Sequence, residues 1–271
     1  MVNLVDTHCH VQSAGLQKGE KITRELWAKE PDLTADSLAK EAVKAGVSRM
    51  ICVGCDLADS QLAIDFVRDQ KNCWASIGIH PHEAQHFVDK PESRDKFSAL
   101  VAEPKVVAVG ETGLDYYYNH SPKEAQITIL KFQIELALEH DLPLIFHVRE
   151  AFDDFWPVFE QYRGIRGVLH SFTDSMENMH KAVAKGLFIG VNGIVTFTKN
   201  PAQLEVYRSI PVENLLLETD APFLTPTPYR GNINESRYVG VIAEFIAKQR
   251  GESLEELAIS TTSNARRLFG I

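Results

Sequence analysis

Two histidines one residue apart, His8 and His10, close an apolar run that begins at Leu4. In a strand, alternate side chains share a face, so the two imidazoles project together while Cys9 points away, and they can share a metal ion. Further ionisable residues stand at the ends of other apolar runs: His80 and His82, Glu111, His147, His170 and Asp220. Imidazole with carboxylate is a ligand set for first-row divalent ions, and Glu111 and Asp220 would otherwise be buried charges in need of partners. Four histidines (His8, His10, His147 and His170) and two carboxylates exceed the three protein ligands of a usual catalytic zinc. Two ions sharing Glu111 fit the set better.

Such a pair of ions, about 3.5–4 Å apart, turns a bridging water into hydroxide at neutral pH and stabilises both entering and leaving oxygens in a displacement at phosphorus. Asp220 is then the natural proton acceptor, its pKa held low by the cation. His80 and His82 are left without a required ligand role. With Arg149 and Arg230 they are candidates for binding non-bridging phosphate oxygens, which a guanidinium matches in geometry. His147 and Arg149 alternate, so both point the same way from one strand end.

Each residue has a plainer reading. An isolated His-x-His is commonly an ordinary surface or core pair, and it is the recurrence at other strand ends that favours a metal. Singly, His147 and His170 suit neutral core histidines equally well. Arg149 can pair with Glu150 or Asp153, and Arg230 can be a surface loop cation. Asp220 is harder to set aside, because Leu215 to Thr219 drives a strand into an acid followed at once by Ala221-Pro222, a step that disfavours helix. His86, His120, His140 and His180 fall in helices or loops and read as solvated surface. Cys52-Val-Gly-Cys55 has a redox or zinc spacing, but no second such pair exists, so packing is the reading. Tyr116, Tyr117 and Tyr118 offer rings for a base or sugar, with Tyr116 the candidate substrate contact, although loop aromatics more often pack.

The elements that must position these groups alternate along the chain. Strands are expected at Leu4 to His8, Met50 to Gly54, Trp74 to His80, Val106 to Gly110, Leu144 to His147, Gly167 to His170, Leu187 to Val191 and Leu215 to Thr219. Helical stretches are expected at Thr34 to Ala45, Asp59 to Gln70, Pro91 to Val101, Pro122 to His140, Ala151 to Tyr162, Met176 to Lys185 and Pro201 to Ser209. Closing helices follow at Glu235 to Arg250 and Leu254 to Phe269. Ser121-Pro122-Lys123-Glu124 predicts a capping box, and Ile127, Leu130, Ile134, Ala137 and Leu138 form the buried stripe after it. The alternation predicts a parallel α/β sheet, either open and doubly wound or closed as a (β/α)8 TIM barrel. Only the barrel brings all the C-terminal strand ends to one face, where such sites are built.

The 271 residues, with no linker or low-complexity block, are expected to form a single domain over 1–271. A formal net charge of −9, from 28 Lys plus Arg against 37 Asp plus Glu, argues against a broad basic grip on duplex nucleic acid. Apolar runs are far shorter than the roughly 20 residues that span a bilayer. The N-terminus lacks the basic and apolar segments of a secretion signal, and four cysteines are too few for a disulfide framework. The expectation is a cytoplasmic enzyme with reduced thiols, no membrane association and no obligate protein partner.

Six blocks in order, Asp6-Thr7-His8-Cys9-His10, Gly78-Ile79-His80-Pro81-His82, Gly110 to Tyr116, His147-Val148-Arg149, His170-Ser171-Phe172 and Glu218 to Leu224, resemble the TatD-type metal-dependent deoxyribonucleases over the whole length. The resemblance implies a TIM barrel of the amidohydrolase-like superfamily, two divalent ions (zinc, magnesium or manganese) and 3′ to 5′ exonuclease action on DNA, at single-stranded or frayed 3′ ends. It places the ligands on His8, His10, Glu111, His147, His170 and Asp220, with Glu111 bridging. The chain departs from the family pattern where Val11-Gln12 opens a longer excursion through Gly15, Gly19 and Pro31, which suggests a changed rim or lid. Ser171 stands where the family often has Cys, and Asn234-Glu235-Ser236 where it has Asn-x-Pro. The first is expected to be neutral, the second to alter a loop. Two other readings of the site are an amidohydrolase, lactonase or aminoacyl-ester deacylase acting at a carbonyl carbon, and a non-catalytic metal-containing interaction module.

Overall fold

The computed structural model describes residues 2–16 and 18–271. Eight strands, β1 (Leu4–Cys9), β2 (Val47–Val53), β3 (Cys73–Ile77), β4 (Val106–Asp115), β5 (Leu144–Arg149), β6 (Gly167–Leu169), β7 (Phe188–Val191) and β8 (Leu215–Leu217), pair in sequence order, each parallel to the next. The ring closes between its first and last strands. His10 N donates to Ala221 O at 2.7 Å, Asp220 N to His8 O at 2.8 Å, and the Thr7 hydroxyl to Leu217 O at 3.0 Å. The closed (β/α)8 barrel is therefore the outcome, and the open sheet is excluded.

Helices cover the ring: α1 (Lys21–Trp27), α2 (Ala35–Lys44), α3 (Leu57–Arg68), α4 (Pro91–Leu100), α5 (Lys123–Glu139), α6 (Phe152–Phe159), α7 (Met176–Ala184), α8 (Pro201–Ser209), α9 (Val239–Arg250) and α10 (Leu254–Phe269). The barrel interior is filled by Val5, Ile51, Val53, Ala108, Ile145, Val168 and Phe188, while Leu268 and Phe269 of α10 pack into the same cluster. Among the described residues no helix is long and apolar enough to cross a membrane, and all four cysteines are free and buried.

Alternation carries interior residues straight to the mouth on three strands: Ile145 to His147, Val168 to His170, and Leu216 to Asp220. On β1 and β4 it does not. Val5 and His8 are three residues apart, as are Ala108 and Glu111, and a plain strand would send each pair to opposite faces. Pairing irregularities lie between Asp6 and Cys9, and between Val109 and Thr112. A bulge there re-aims the following side chain, so the two strands whose register slips deliver His8 and Glu111 inward.

Three local expectations are corrected. β3 ends at Ile77, and His80 lies past it, capping a 3-10 turn (Pro81–His86) by accepting from His82 N through Nδ1. β4 runs to Asp115 rather than stopping at Gly110, because its second half pairs with Phe146 to Arg149. The expected capping box at Ser121 does not form: Pro122 heads α5, while the Ser121 hydroxyl donates to His82 O and accepts from Gln85 N. The excursion after Val11 has regular structure of its own. It contains α1, whose buried Trp27 donates through Nε1 to His10 O at 3.0 Å.

Gly110 (φ +153°) and Gly113 (φ +151°) let β4 press against β5 in backbone conformations that side chains rarely adopt. A Cβ on Gly113 would overlap the His147 carbonyl, whereas one on Gly186 meets nothing. Gly113→Ala is accordingly expected to destabilise the fold by about 2–4 kcal/mol. Gly186→Ala should cost markedly less. Thermal melts of the two variants would check this; equal losses would contradict the assigned close approach.

Candidate metal centre

The mouth of the barrel gathers side chains from six strand ends around Glu111. Glu111 Oε1 lies 2.8 Å from His147 Nδ1, 3.3 Å from His170 Nε2 and 3.6 Å from His80 Nε2, and Oε2 lies 3.4 Å from His8 Nε2. Asp220 Oδ1 sits 3.4 Å from His10 Nε2 and 3.7 Å from His8 Nε2. The His8 and His10 Nε2 atoms are 3.2 Å apart, and the His8 and His170 rings stack with centroids at 3.7 Å. His8, His10 and Glu111 form one grouping with ligand atoms within metal-binding reach, His8, His170 and Asp220 a second, and His80, Glu111 and His147 a third.

Most far ring nitrogens are fixed. His10 Nδ1 donates to Val53 O at 2.8 Å, His170 Nδ1 faces Glu218 Oε1 at 3.0 Å, and His147 Nε2 faces Asp115 Oδ2 at 3.0 Å. Donation from those nitrogens leaves His10 Nε2, His170 Nε2 and His147 Nδ1 as lone pairs aimed at the cluster, as in metal sites whose histidines are oriented by carboxylates or carbonyls behind them. His8 Nδ1 is buried without a partner among the described residues.

The electrostatics call for positive charge. Burial works against an ionised Glu111, yet the surrounding His170, His80 and His147 hold its pKa well below the ordinary value. Asp220 is likewise lowered against burial, chiefly by His10, His170 and His8. In turn, although burial opposes it, Asp220, Glu111 and Asp59 raise His10 to about 9, and Asp115 and Glu111 raise His147 to about 8. Protons here occupy positions that a cation suits. Converging lone pairs and carboxylates that need neutralising fit divalent ions.

Sequence reasoning missed three acids. Asp115 accepts from His147 Nε2 and His82 Nε2 at 3.0 Å each, and from Tyr118 N at 2.9 Å. Glu218 accepts from Ser171 N as well as facing His170. Asp6, fully buried, accepts from the Thr219 amide and hydroxyl at 2.8 and 2.6 Å and so clasps the end of β8 to β1; burial pushes its pKa up to about 7 against those hydrogen bonds. Asp115 and Glu218 stand inside the quoted blocks, and Asp6 precedes the His-x-His. The available signal was an acid buried in an apolar run.

The remaining candidates are distributed around the rim. His80 is neutral, its pKa drawn down to about 4 by burial despite Glu111. With Nδ1 accepting from His82 N, its proton is on Nε2, facing the cluster. The Arg149 guanidinium lies 3.9 Å from the Tyr117 ring centroid and 4.9 Å from that of Tyr118, and pairs with neither Glu150 nor Asp153. Arg230 is exposed, resting over Phe197 at 3.9 Å and donating to Thr225 O. Tyr116 is committed elsewhere: its hydroxyl donates to Asp154 at 2.8 Å and the Lys123 ammonium covers its ring at 3.8 Å. The exposed rings are Tyr117 and Tyr118. Of the histidines read as surface, His120 is exposed but touches His82 edge-on at 4.6 Å. Cys55, read as packing, is buried with Sγ 3.8 Å from His10 Nδ1. At the other two family departures, the Ser171 hydroxyl accepts from Asn192, and Asn234 clamps the loop after Asp220 by donating to Thr219 O and Phe223 O.

A closed parallel barrel with buried histidines and carboxylates at its C-terminal mouth defines a hydrolase of the metal-dependent kind. The profile of the TatD related DNase family matches residues 5–270, and the chain belongs to that family. It is 35% identical over 270 residues to YabD of Bacillus subtilis strain 168, described as an uncharacterized metal-dependent hydrolase, with 99% of each chain covered. Identity is 36% over 261 residues to the 3′-5′ ssDNA/RNA exonuclease TatD of Salmonella typhimurium, covering 93% of this chain and 98% of the relative. The crystal structure of YjjV, a TatD homologue from Escherichia coli K12, superposes with a TM-score of 0.86 at 26% identity over 99% of this chain and 98% of the other.

Proton and cation compete for the same imidazole lone pairs, so raising pH removes the competitor. With His10 at about 9 and His147 at about 8, divalent-ion binding at pH 7 is expected to release roughly one proton or more per chain, and affinity to rise from pH 6 to pH 8. Titration calorimetry in buffers of different ionisation enthalpy measures the release. Heats independent of buffer would refute the shared lone pairs.

Proposed function

We propose that the protein is a nuclease that removes nucleotides from single-stranded DNA 3′ ends, using two divalent ions held by His8, His10, Glu111, His147, His170 and Asp220, with Glu111 shared between them. The observation that carries this is the meeting of the other five side chains around the buried Glu111 carboxylate. Family membership, and a relative named as a 3′-5′ ssDNA/RNA exonuclease, support the substrate class and polarity. Bound ions of this kind polarise a phosphoryl group and acidify water, whichever of zinc, manganese or magnesium is supplied.

The chain's own residues divide the remaining work. Asp220 is the more open of the two central carboxylates, its side chain 14% exposed against 4% for Glu111. Its Oδ1 faces His8 and His10, leaving Oδ2 to accept the proton of the attacking water. Neutral His80 presents Nε2–H toward Glu111 and so offers a donor to a non-bridging phosphate oxygen. Arg149 supplies a guanidinium at the end of β5, and Arg230 one from the loop that follows Asp220. His82, held by Asp115, supports the His80 turn.

Asp220→Ala is expected to lower hydrolysis of end-labelled single-stranded DNA by at least about 100-fold while leaving the thermal transition nearly unchanged. Chelation should abolish turnover and restoring the ion should return it. Full activity in either case would contradict the mechanism. A panel of duplex DNA and neutral esters assayed alongside separates phosphodiester chemistry from attack on a carbonyl carbon; preferential ester hydrolysis would overturn the assignment.

A further inference from the structure

The loop that leaves β4 carries two large rings to the surface beside the candidate metal centre. Tyr117 and Tyr118 are 53% and 52% exposed. Isolated exposed aromatics need no explanation, but these are organised. Tyr117 and Tyr118 meet edge-on at 4.8 Å, and Tyr118 and the exposed His120 are parallel within 4° at 5.7 Å between centroids. Arg149 lies across both tyrosines, and among the described residues it forms no ion pair.

This surface is held rigidly. Tyr116 N donates to Arg149 O at 3.0 Å, Tyr118 N to Asp115 Oδ1 at 2.9 Å, and the Gln85 side chain to His120 O at 3.1 Å. Asn119 takes the left-handed conformation (φ 52°) that turns the chain between Tyr118 and His120. Asp115 is also the acid behind His147, and it holds His82, whose ring meets Tyr118 and His120 edge-on at 5.6 and 4.6 Å. One buried carboxylate thus ties the exposed rings to the metal cluster.

We propose that Tyr117, Tyr118 and His120, with Arg149, form a stacking subsite for an unpaired nucleobase flanking the scissile phosphodiester. The proposal rests on the nuclease reading above and adds to it the means of selecting single strands. A π-face accepts any base, but only one already free of its duplex neighbours. A guanidinium beside the rings places a cation where the backbone of that nucleotide passes. In a chain of net charge −9, ring stacking supplies affinity that overall charge does not.

The test compares two fluorescein-labelled oligothymidylates, one intact and one with abasic sugars on either side of the scissile bond. The wild type should favour the intact strand in kcat/KM by about 10- to 100-fold, the effect of one stacked base. In Tyr117→Ala/Tyr118→Ala the ratio should fall toward unity, and His120→Ala should lower it partially. Tyr118→Phe, which keeps the ring, should preserve it. Divalent-ion stoichiometry and thermal melts of each variant report whether the fold and centre are intact. A wild-type ratio near unity, or a full ratio in an intact double-alanine variant, would overturn the subsite while leaving the nuclease reading standing. Failure of the wild type to hydrolyse either strand would overturn both.

Discussion

A carboxylate buried in a protein interior is stable as an anion only where positive charge or hydrogen-bond donors surround it. Glu111 is such a group, with imidazoles of four histidines within 3.6 Å of its two oxygens. Asp220 makes the same demand a few ångströms away, and both are held ionised despite burial. His10, His147 and His170 respond by holding protons more tightly, while buried His80 stays neutral. A centre balanced in this way exchanges protons for cations readily, because each cation replaces positive charge already required there. The rest of the mouth follows from that need.

Delivering six side chains from five strands to one point demands more than alternation. Three of the strands arrive in phase, and β1 and β4 are brought into phase by register slips just before His8 and Glu111. Local irregularity at these two strands is the condition under which a regular barrel can aim all its ends at a common centre. Behind the clustered histidines stand Asp115, Glu218 and the Val53 carbonyl, which settle which nitrogen of His147, His170 and His10 faces inward. Asp6 serves the same centre from further back by joining β8 to β1 where the ring closes. Trp27, reaching His10 O from α1, draws the excursion after Val11 into the support of the site.

An acidic chain that acts on a polyanion needs local rather than global attraction. Two guanidinium groups rest on aromatic rings, Arg149 over Tyr117 and Tyr118 and Arg230 over Phe197. Stacking a guanidinium on an aromatic face keeps it oriented while leaving its N–H groups free for phosphate oxygens.

The alternation of apolar runs with helical stretches was legible because strand and helix periods differ, and all eight strands lie where that pattern put them. The ligand candidates were legible for a related reason: His8, Glu111, His147, His170 and Asp220 interrupt or end apolar runs, and charge at such a place is costly without a partner. Ends and supports were not. β4 continued past Gly110 because β5 supplies hydrogen bonds to a stretch whose glycines read as a break, and Ser121 left its expected cap for His82 O because a tertiary partner was within reach. Tyr116 and Tyr118 are chemically alike in sequence, yet Asp154 and Lys123 occupy the first while the second is left open. The order and types of residues determined a barrel with a histidine and carboxylate mouth. Which nitrogen faces inward, which acid stands behind it and which ring meets solvent were decided only by contacts between residues far apart in the chain, since orientation is set by the partner a side chain finds and not by the residue itself.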